Sequence, residues 1–506
     1  NSGGTGFGMT GIVGLTMTYI VSHDNGGNGV TIQNCQNVTI TNITTYNNAF
    51  PGGFSSGIQI ASTGNFSPPG PASSDNITIT GNERTQPYVF DRFLDFDTGH
   101  VVQLSELLPL LDRNRKHLLR TALFNDVTLT VTRMVKDSLD IEVKVSERWY
   151  YFIYPYFELS DRNFNEWWTT FNRDINRTII GATFYINNIR GRDERLKLMA
   201  LFGFNQELGL RFTQPFIRPG ADWGWEVEGY LWRTRNVPYE TQNNRLQYLR
   251  TGAFGLTQWY GAFRWLYQPN AYWKIAAGLQ YAGREIIDSV AALNPDYLPG
   301  ALRSIEHVDL TLDMRWDNTD HIAYPLRGQR FRLRAQRMGI GIWDDLSTWR
   351  IAVEAAWYEA LSRRWFAEVR GFAGMTAGQS RPYFLQRALG YENRLVRGHE
   401  LDVVDGQRYG LVQTSLKWQL FDIQLNNPWM PIRQFSRIPI ALYLRPHFDV
   451  GYAADRWHTE ANPLHNTLLL GGGIGLDLVT YYDYALSTNF SINRQGEKGL
   501  YLHVNF

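Results

Sequence analysis

Residues that could carry out catalysis occur in this sequence without the spacing that catalysis requires. The ten histidines are scattered, neither an H-E-x-x-H pair nor a phosphate-binding P-loop is present, and Cys35 is the single cysteine. A zinc site built on several cysteines and an internal disulfide are therefore excluded. His399 and His503 are interpreted as polar residues of the lumen or rim of the β-barrel predicted below, rather than as metal ligands. We expect no metal, no cofactor and no enzymatic activity.

Two passages between Tyr391 and Leu478 have unusual compositions. Residues 471–478, GGGIGLDL, are not followed by a helical pattern, so close packing or strand bending is favoured over phosphate binding. Residues 391–410 are rich in charge and glycine, although segments typical of bilayer-facing strands flank them. At the centre of this passage lie Val396, Arg397, Gly398, His399 and Glu400. The guanidinium group of Arg397 can bind carboxylates or aromatic faces in a fixed, forked geometry.

Composition limits the possible partners and the possible membrane contacts. The net charge is +1, which gives no global attraction toward nucleic acid. No apolar run approaches the ~20 residues that a membrane helix needs. Membrane strands escape that test because their two faces alternate between apolar and polar residues.

Residues 149–506 consist of alternating segments of roughly ten residues, separated by turns, as is typical of a membrane barrel. About 16 strands can be assigned, and the last is GLYLHVNF. In it, Leu500, Leu502, Val504 and Phe506 share one face. The pattern predicts a transmembrane antiparallel β-barrel that closes between its first and last strands. A soluble sandwich or propeller is the alternative, but no blade repeat is present.

Residues 1–75 are rich in Gly, Asn, Ser and Thr and contain short alternating segments. Val38, Ile58 and Ile77 begin three such segments, 20 and 19 positions apart. A period near 20 with Asn at the turns predicts a short parallel β-helix-like segment. Six side chains should then stack in one apolar column: Val38, Ile40, Ile58, Ile60, Ile77 and Ile79. A Thr/Asn-rich linker with chance alternation is the alternative.

Residues 76–148 change to a strand, helix, helix, strand, strand pattern. Leucines recur with helical spacing, and two alternating strands follow them. The helical set is Leu104, Leu107, Leu108, Leu111, Leu118 and Leu119. The two strands carry Val127, Leu129 and Val131, then Leu139, Ile141, Val143 and Val145. The sequence therefore predicts one small βααββ domain before the barrel.

Several of these passages resemble one family. GNERT from Gly81 and LLDRNRKHLLRTALFNDVTL ending at Leu129 look like a POTRA domain of the BamA/TamA outer-membrane family. The passage LVRGHE is similar to the family's sixth outer loop, whose arginine folds back into the barrel lumen. The terminal strand through Leu502, Val504 and Phe506 resembles the signal by which outer-membrane barrels are recognised.

The resemblance also implies roles for individual residues. Asp449 in HFDVGYA matches the acidic acceptor of the loop arginine, with Glu400 or a nearby aromatic ring as weaker candidates. Lys417 stands near the position of the family's second acceptor, which puts a two-carboxylate clasp in doubt. The segment DNTDHIAYPLRGQRF resembles the family's periplasmic turn. The turn residues are Asp317, Pro325 and Gly328.

The resemblance implies an insertase or translocase in the bacterial outer membrane, with the POTRA domain in the periplasm. Expected partners are the lipid bilayer, unfolded outer-membrane or surface protein clients and possible accessory lipoproteins, but no nucleic acid. A weak seam could template an incoming strand by backbone pairing. One alternative is a passive secretion pore or channel. The other is a carbohydrate-binding β-helix anchored by the barrel, since residues 1–75 resemble right-handed β-helix proteins, many of which bind or cut polysaccharides.

Overall fold

The structure is a computed structural model of the 506-residue chain. It describes residues 72–135, 138–159, 175–321, 323–343, 345–378, 382–426, 437–456, 461–480 and 485–505, together with Trp429 and seven short strands within residues 7–61. Two compact units are present. The first contains residues 1–73 with 101–106 and 134–138, and the second contains the rest of the chain.

The first unit contains three ladders of short parallel strands. The strands are β1 (Phe7–Thr10), β2 (Thr16–Thr18), β3 (Val21–His23), β4 (Val30–Gln33), β5 (Thr39–Thr41), β6 (Thr44–Tyr46) and β7 (Ile58–Ala61). β4 pairs with both β1 and β7, β2 pairs with β5, and β3 pairs with β6. Parallel pairing agrees with the expected stacking of successive coils, whereas the β-helix itself stays a prediction.

The predicted register of these strands is wrong. Ile58 lies beside Val30, and Ile60 lies beside Ile32. Ile40 pairs with Met17 in a different ladder. Val38 precedes the strand that contains Ile40 and lies outside the described residues, whereas Ile77 and Ile79 belong to the antiparallel sheet described next. Paired strands in this ladder are separated by 23 and 28 residues. The spacing of 20 residues between Val38 and Ile58 therefore compared two segments that belong to different ladders.

A small sheet with helices follows. Its elements are β8 (Ala72–Thr80), α1 (Pro87–Phe90), β9 (Val101–Val102), α2 (Leu104–Arg120), β10 (Phe124–Val135) and β11 (Ser138–Glu147), and the strand order is β10-β11-β8-β9. The predicted element order is present with one added two-residue strand, β9. Alternation along β11 buries Leu139, Ile141, Val143 and Val145. In α2, Leu110 is buried and Leu108 is exposed, which corrects the predicted core face. The assignment as a POTRA domain stays a prediction.

The large sheet contains sixteen strands, each antiparallel to its neighbours. The first eight are β12 (Tyr151–Leu159), β13 (Thr178–Asn187), β14 (Arg195–Gly203), β15 (Asn205–Gln214), β16 (Trp223–Thr234), β19 (Leu256–Tyr267), β20 (Trp273–Ile286) and β21 (Ser304–Asp317). The last eight are β22 (Gly328–Met338), β23 (Thr348–Ala360), β24 (Trp365–Gly378), β27 (Arg408–Asn426), β28 (Arg437–Ala454), β29 (Leu468–Val479), β30 (Ala485–Asn493) and β31 (Lys498–Asn505). The predicted strand number is confirmed.

The two faces of this sheet differ in polarity. Along β28, Arg445, His447 and Asp449 are buried on the inner face, while Phe448 between them is 51% exposed on the outer face. A cavity of about 830 Å³ is lined by side chains from β13 to β27 and from the connection before β27, so the sheet curves around its inner face. Polar inner and apolar outer faces are the pattern of a membrane barrel.

The sheet is open between its first and last strands. Within the described residues, β12 pairs only with β13 and β31 pairs only with β30. The predicted closure is therefore not present in this structure. Each of the two strands presents one backbone edge that no other described strand pairs with.

The connections at the two ends of the sheet differ. The small domain contacts four connections at one end of the sheet, namely those after β13, β15, β19 and β21. Gln86 donates its backbone N–H to Gly191 O at 2.8 Å, and Arg92 contacts Asp222 and Gln268. A further hydrogen bond joins His117 to Tyr272 at 2.7 Å, and an ion pair joins Arg120 to Asp317 at 3.2 Å. Burial lowers the pKa of His117, which keeps this ring neutral at the contact.

The connections at the opposite end contain additional elements. They are β17 (Asn236–Gln242), β18 (Arg245–Arg250), α3 (Asp288–Leu293), β25 (Arg387–Leu389) and β26 (Val404–Asp405), with short 3-10 turns at Pro299–Ala301 and Tyr383–Leu385. Three of these connections contribute to one apolar core, through Val237, through Val290 and Leu298, and through Phe384. None of the described helices combines the length and apolar character needed to cross a membrane.

Candidate functional site

The passage that contains Arg397 folds back onto the inner face of the large sheet. It belongs to the connection between β24 and β27, the eleventh and twelfth strands of that sheet. Arg397 Nε lies 2.8 Å from Asp449 Oδ2, and Nη2 lies 2.5 Å from Oδ1. The two hydrogen bonds form the bidentate pair that the sequence predicted. Asp449 is fully buried, so this pair is shielded from bulk water.

Both terminal nitrogens of the Arg397 guanidinium group also donate to β27. Nη1 donates to Ser415 Oγ at 3.0 Å, and Nη2 donates to Thr414 O at 3.1 Å. The backbone N–H of Arg397 donates to Asp449 Oδ2 at 2.9 Å. Glu400, a weaker candidate acceptor, instead accepts the Gly398 N–H at 2.7 Å. The pKa of Glu400 is raised above its usual value because burial has a larger effect than the opposing hydrogen bond from Gly398.

Glycines on the sheet make room for the loop tip. A Cβ at Gly471, directly opposite Asp449, would lie 1.8 Å from the Arg397 carbonyl oxygen. A Cβ at Gly451 would lie 2.5 Å from a methyl group of Val396. Gly398 has φ +103°, a conformation that favours glycine, and its carbonyl oxygen accepts a hydrogen bond from Asn493 Nδ2 of β30 at 3.0 Å. The glycine-rich run therefore serves close packing, as the sequence indicated.

Gly471→Ala is expected to displace the loop tip, because the added methyl group meets backbone rather than a movable side chain. Overpacking of this kind costs about 1–3 kcal/mol. The measurement is protease sensitivity of the loop in the folded protein. Gly410→Ala on β27 is the matched control, since its Cβ would meet no heavy atom within 4 Å. Equal sensitivity of the two variants would contradict the assigned packing.

The other residues of the predicted loop motif stabilise the tip. Val396 is buried in an apolar cluster with Leu389, Leu411 and Leu469. The His399 ring contacts Asp402 through Nδ1 at 2.9 Å and is buried. His399 is therefore a polar residue of the inserted loop. His503 lies on β31, and its side chain is outside the described residues.

A second charged cluster was missed by the sequence interpretation. Lys417 Nζ lies 2.9 Å from Glu368 Oε2, and both side chains are buried. The same ammonium group donates to Pro325 O at 3.2 Å and lies 4.0 Å from the centre of the Tyr324 ring. Lys417 thus binds the predicted turn and does not contribute to the Arg397 pair.

The turn between β21 and β22 reaches the inner face through Tyr324. Its hydroxyl donates to Asp477 Oδ2 at 2.7 Å. Asp477 also accepts from Arg445 Nε at 2.6 Å and from Nη2 at 3.0 Å. Arg445 and Asp449 share one face of β28, and this alternation is the sequence signal that could have identified the second pair.

The remaining predicted residues lie at the turn and at the last strand. Asp317 accepts from Thr319 and pairs with Arg330 at 2.8 Å, while Gly328 has φ +100° at the start of β22. Pairing places Leu502 opposite Thr488 and Val504 opposite Leu486. Phe506 lies outside the described residues.

In the described part of the chain, no group of His, Cys, Asp and Glu side chains is arranged to hold a metal ion. The site consists of buried ion pairs that attach two connecting segments to the inner face of a sheet. Such an arrangement positions backbone segments and supplies no nucleophile with an adjacent base.

A sixteen-stranded antiparallel sheet with an apolar outer face and a buried polar inner face has the architecture of an outer-membrane β-barrel that is open between its first and last described strands. Residues 188–391 match the family model of the Omp85 superfamily domain. Over those residues, this match agrees with the sequence resemblance to the BamA/TamA outer-membrane family.

The solved structures similar to this chain include three barrels. BamA from Haemophilus ducreyi lacking POTRA domains 1–3 is 13% identical, with a TM-score of 0.47 and coverage of 86% of this chain and 84% of that chain. CdiB from Escherichia coli is 12% identical, with a TM-score of 0.48 and coverage of 86% and 75%. CdiB from Acinetobacter baumannii is 13% identical, with a TM-score of 0.44 and coverage of 86% and 73%. No curated protein matches the sequence.

Proposed function

We propose that this barrel assists the insertion or export of outer-membrane or surface proteins by pairing client strands with an open sheet edge. The single observation that carries the proposal is the absence of pairing between β12 and β31 among the described strands. An unpaired strand edge presents a row of backbone donors and acceptors that another strand can complete.

The side chains along both edges suit a partner strand inside a bilayer. On β12, Ile153 is 64% exposed, and on β31, Leu502 is 65% exposed. A client strand that pairs with either edge would continue the apolar outer face without burying a charge. The buried attachment of the Arg397 loop and of the Tyr324 turn supports a rigid wall beside this edge.

The small domain supports a role in client delivery. Its contacts with the connections after β13, β15, β19 and β21 place it at one end of the barrel strands. We propose that it is a POTRA domain in the periplasm and that its own sheet edges guide clients toward the barrel, with accessory lipoproteins as further partners.

The test is photocross-linking in living cells from three outward-facing positions. A photoreactive residue at Ile153 or at Leu502 should capture client polypeptides during their assembly. Leu310, 50% exposed on the central strand β21, is the matched control and should capture none. Equal capture at Leu310, or none at the two edges while clients still assemble, would refute edge pairing.

The passive-pore alternative predicts different results. A pore should give steady conductance in planar bilayers, and depletion of the protein should leave the assembly of other barrels unchanged. Loss of other barrels on depletion, together with cross-links at Ile153 or Leu502, separates the proposed function from this alternative.

A further inference from the structure

The inner cavity of about 830 Å³ carries an excess of positive charge. Its lining contains eleven Lys or Arg side chains but five Asp or Glu side chains. Because the chain as a whole has a net charge of +1, this excess is local to the cavity. Rings of Lys and Arg inside a pore favour anions and phosphate groups.

The cations lie in register across neighbouring strands. Lys274 on β20 is directly opposite Arg315 on β21, and Arg315 is directly opposite Arg332 on β22. Directly paired residues of an antiparallel sheet share a face, so the three charges point toward the same side. Like charges in directly opposite positions destabilise a sheet unless a negative charge compensates them.

The protein compensates this row only in part. Asp313 accepts hydrogen bonds from both Arg315 and Arg332, each with an Nη2–Oδ2 distance of 2.7 Å. Lys274 has neither a hydrogen bond nor an ion pair within the described residues, and its side chain is exposed to the cavity. One carboxylate thus serves two guanidinium groups, while the ammonium group beside them has none.

Three other carboxylates that line the cavity are already paired, and one of them, Asp193, accepts from Arg195 at 2.8 Å. Glu228 accepts from both Arg211 and Arg264, and Glu226 accepts from Arg264. These pairs leave no acidic side chain of β16 for Lys274. The uncompensated charge of the row is therefore available to a ligand.

We propose that this cavity binds small multivalent oxyanions, namely phosphate or sulfate groups, at the row formed by Lys274, Arg315 and Arg332. Guanidinium groups bind such oxyanions in forked geometry, and an ammonium group adds a point charge. The volume falls within the range of small-molecule sites. The inference does not depend on whether the barrel handles client proteins.

The test is calorimetric titration of the full-length protein in neutral detergent with inorganic pyrophosphate at low salt. Lys274→Gln should weaken binding roughly tenfold, and Lys274→Glu should weaken it further, because hydrogen bonds to charged groups contribute on this scale. Added salt should weaken binding to the wild-type protein. Lys116→Gln, which removes an exposed lysine of α2, is the matched control and should bind as the wild type does.

Competition experiments distinguish free oxyanions from phosphate esters of sugars. Inorganic phosphate and glucose 6-phosphate should both compete with pyrophosphate if the site recognises the phosphate group, and glucose should not compete. Competition by glucose 6-phosphate that is much stronger than by phosphate would assign the site to sugar esters.

Two results would overturn the inference. One is the absence of pyrophosphate binding by the folded wild-type protein at low salt. The other is equal binding by the wild-type protein and both Lys274 variants, which would show an adventitious ion only. Since Lys274 has no partner within the described residues, its replacement should leave the heat-modifiability of the barrel unchanged, and folding therefore provides an internal control.

Discussion

Arg397→Ala is expected to destabilise the inserted loop by about 3–5 kcal/mol, the cost of removing one partner from a buried ion pair. Asp449 would retain only the backbone N–H of residue 397 among its described partners. The folded barrel should convert to the unfolded form at a lower temperature in heat-modifiability gels. The loop should also become sensitive to protease, since its tip would lose four side-chain hydrogen bonds.

Several variants separate loss of the pair from loss of the side chain. Arg397→Lys should restore stability only in part, because an ammonium group cannot form the fork. A charge swap that combines Arg397→Asp with Asp449→Arg should recover more stability than either single change. Arg408→Ala, at an exposed arginine of β27, is the matched control. Wild-type behaviour of Arg397→Ala in both assays would refute the assigned role.

Lys417→Ala is expected to have the second largest effect, a loss of about 3 kcal/mol. Glu368 would remain buried with Arg370 as its remaining ion-pair partner, at 2.9 Å from a guanidinium that is partly exposed. The turn would also lose the hydrogen bond to Pro325 and the cation–π contact with Tyr324. The measurement is protease sensitivity of residues 318–327 together with heat-modifiability.

A neutral double variant tests whether the loss of the lysine charge beside the buried Glu368 carboxylate causes this destabilisation. Lys417→Met combined with Glu368→Gln removes both charges and should recover most of the barrel stability, because the buried carboxylate that lost its lysine partner is removed as well. The turn should remain more protease-sensitive than in the wild type, since Pro325 still lacks its donor. Equal stability of the single and double variants would contradict this explanation.

The alternation of residues was sufficient to predict the large sheet. In a strand, successive side chains point to opposite faces, so polar and apolar residues can be assigned to faces without any tertiary contact. That reasoning predicted sixteen strands and the shared face of Leu500 and Leu502. The Arg397–Asp449 pair was also predicted, although through the family resemblance rather than through alternation.

Alternation does not specify which strand lies beside which in a parallel segment. Residues 1–75 contain several short Thr-rich and Ile-rich segments that are nearly equivalent in composition. A shift of the pairing by one segment preserves the pattern, and for this reason the predicted column of Ile40 with Ile58 was wrong. Register there depends on the lengths of the turns.

The sequence by itself determined the strand pattern, the glycine-rich packing surface and the residues that point inward. Tertiary structure alone decided the partners of Lys417 and Tyr324, because Lys417 and Pro325 are 92 positions apart and Tyr324 and Asp477 are 153 positions apart. It also decided the positive excess of the cavity and the open edge between β12 and β31. Both features depend on the distances between residues on different strands. Those distances are set by sheet curvature and register, which the local residue pattern does not specify.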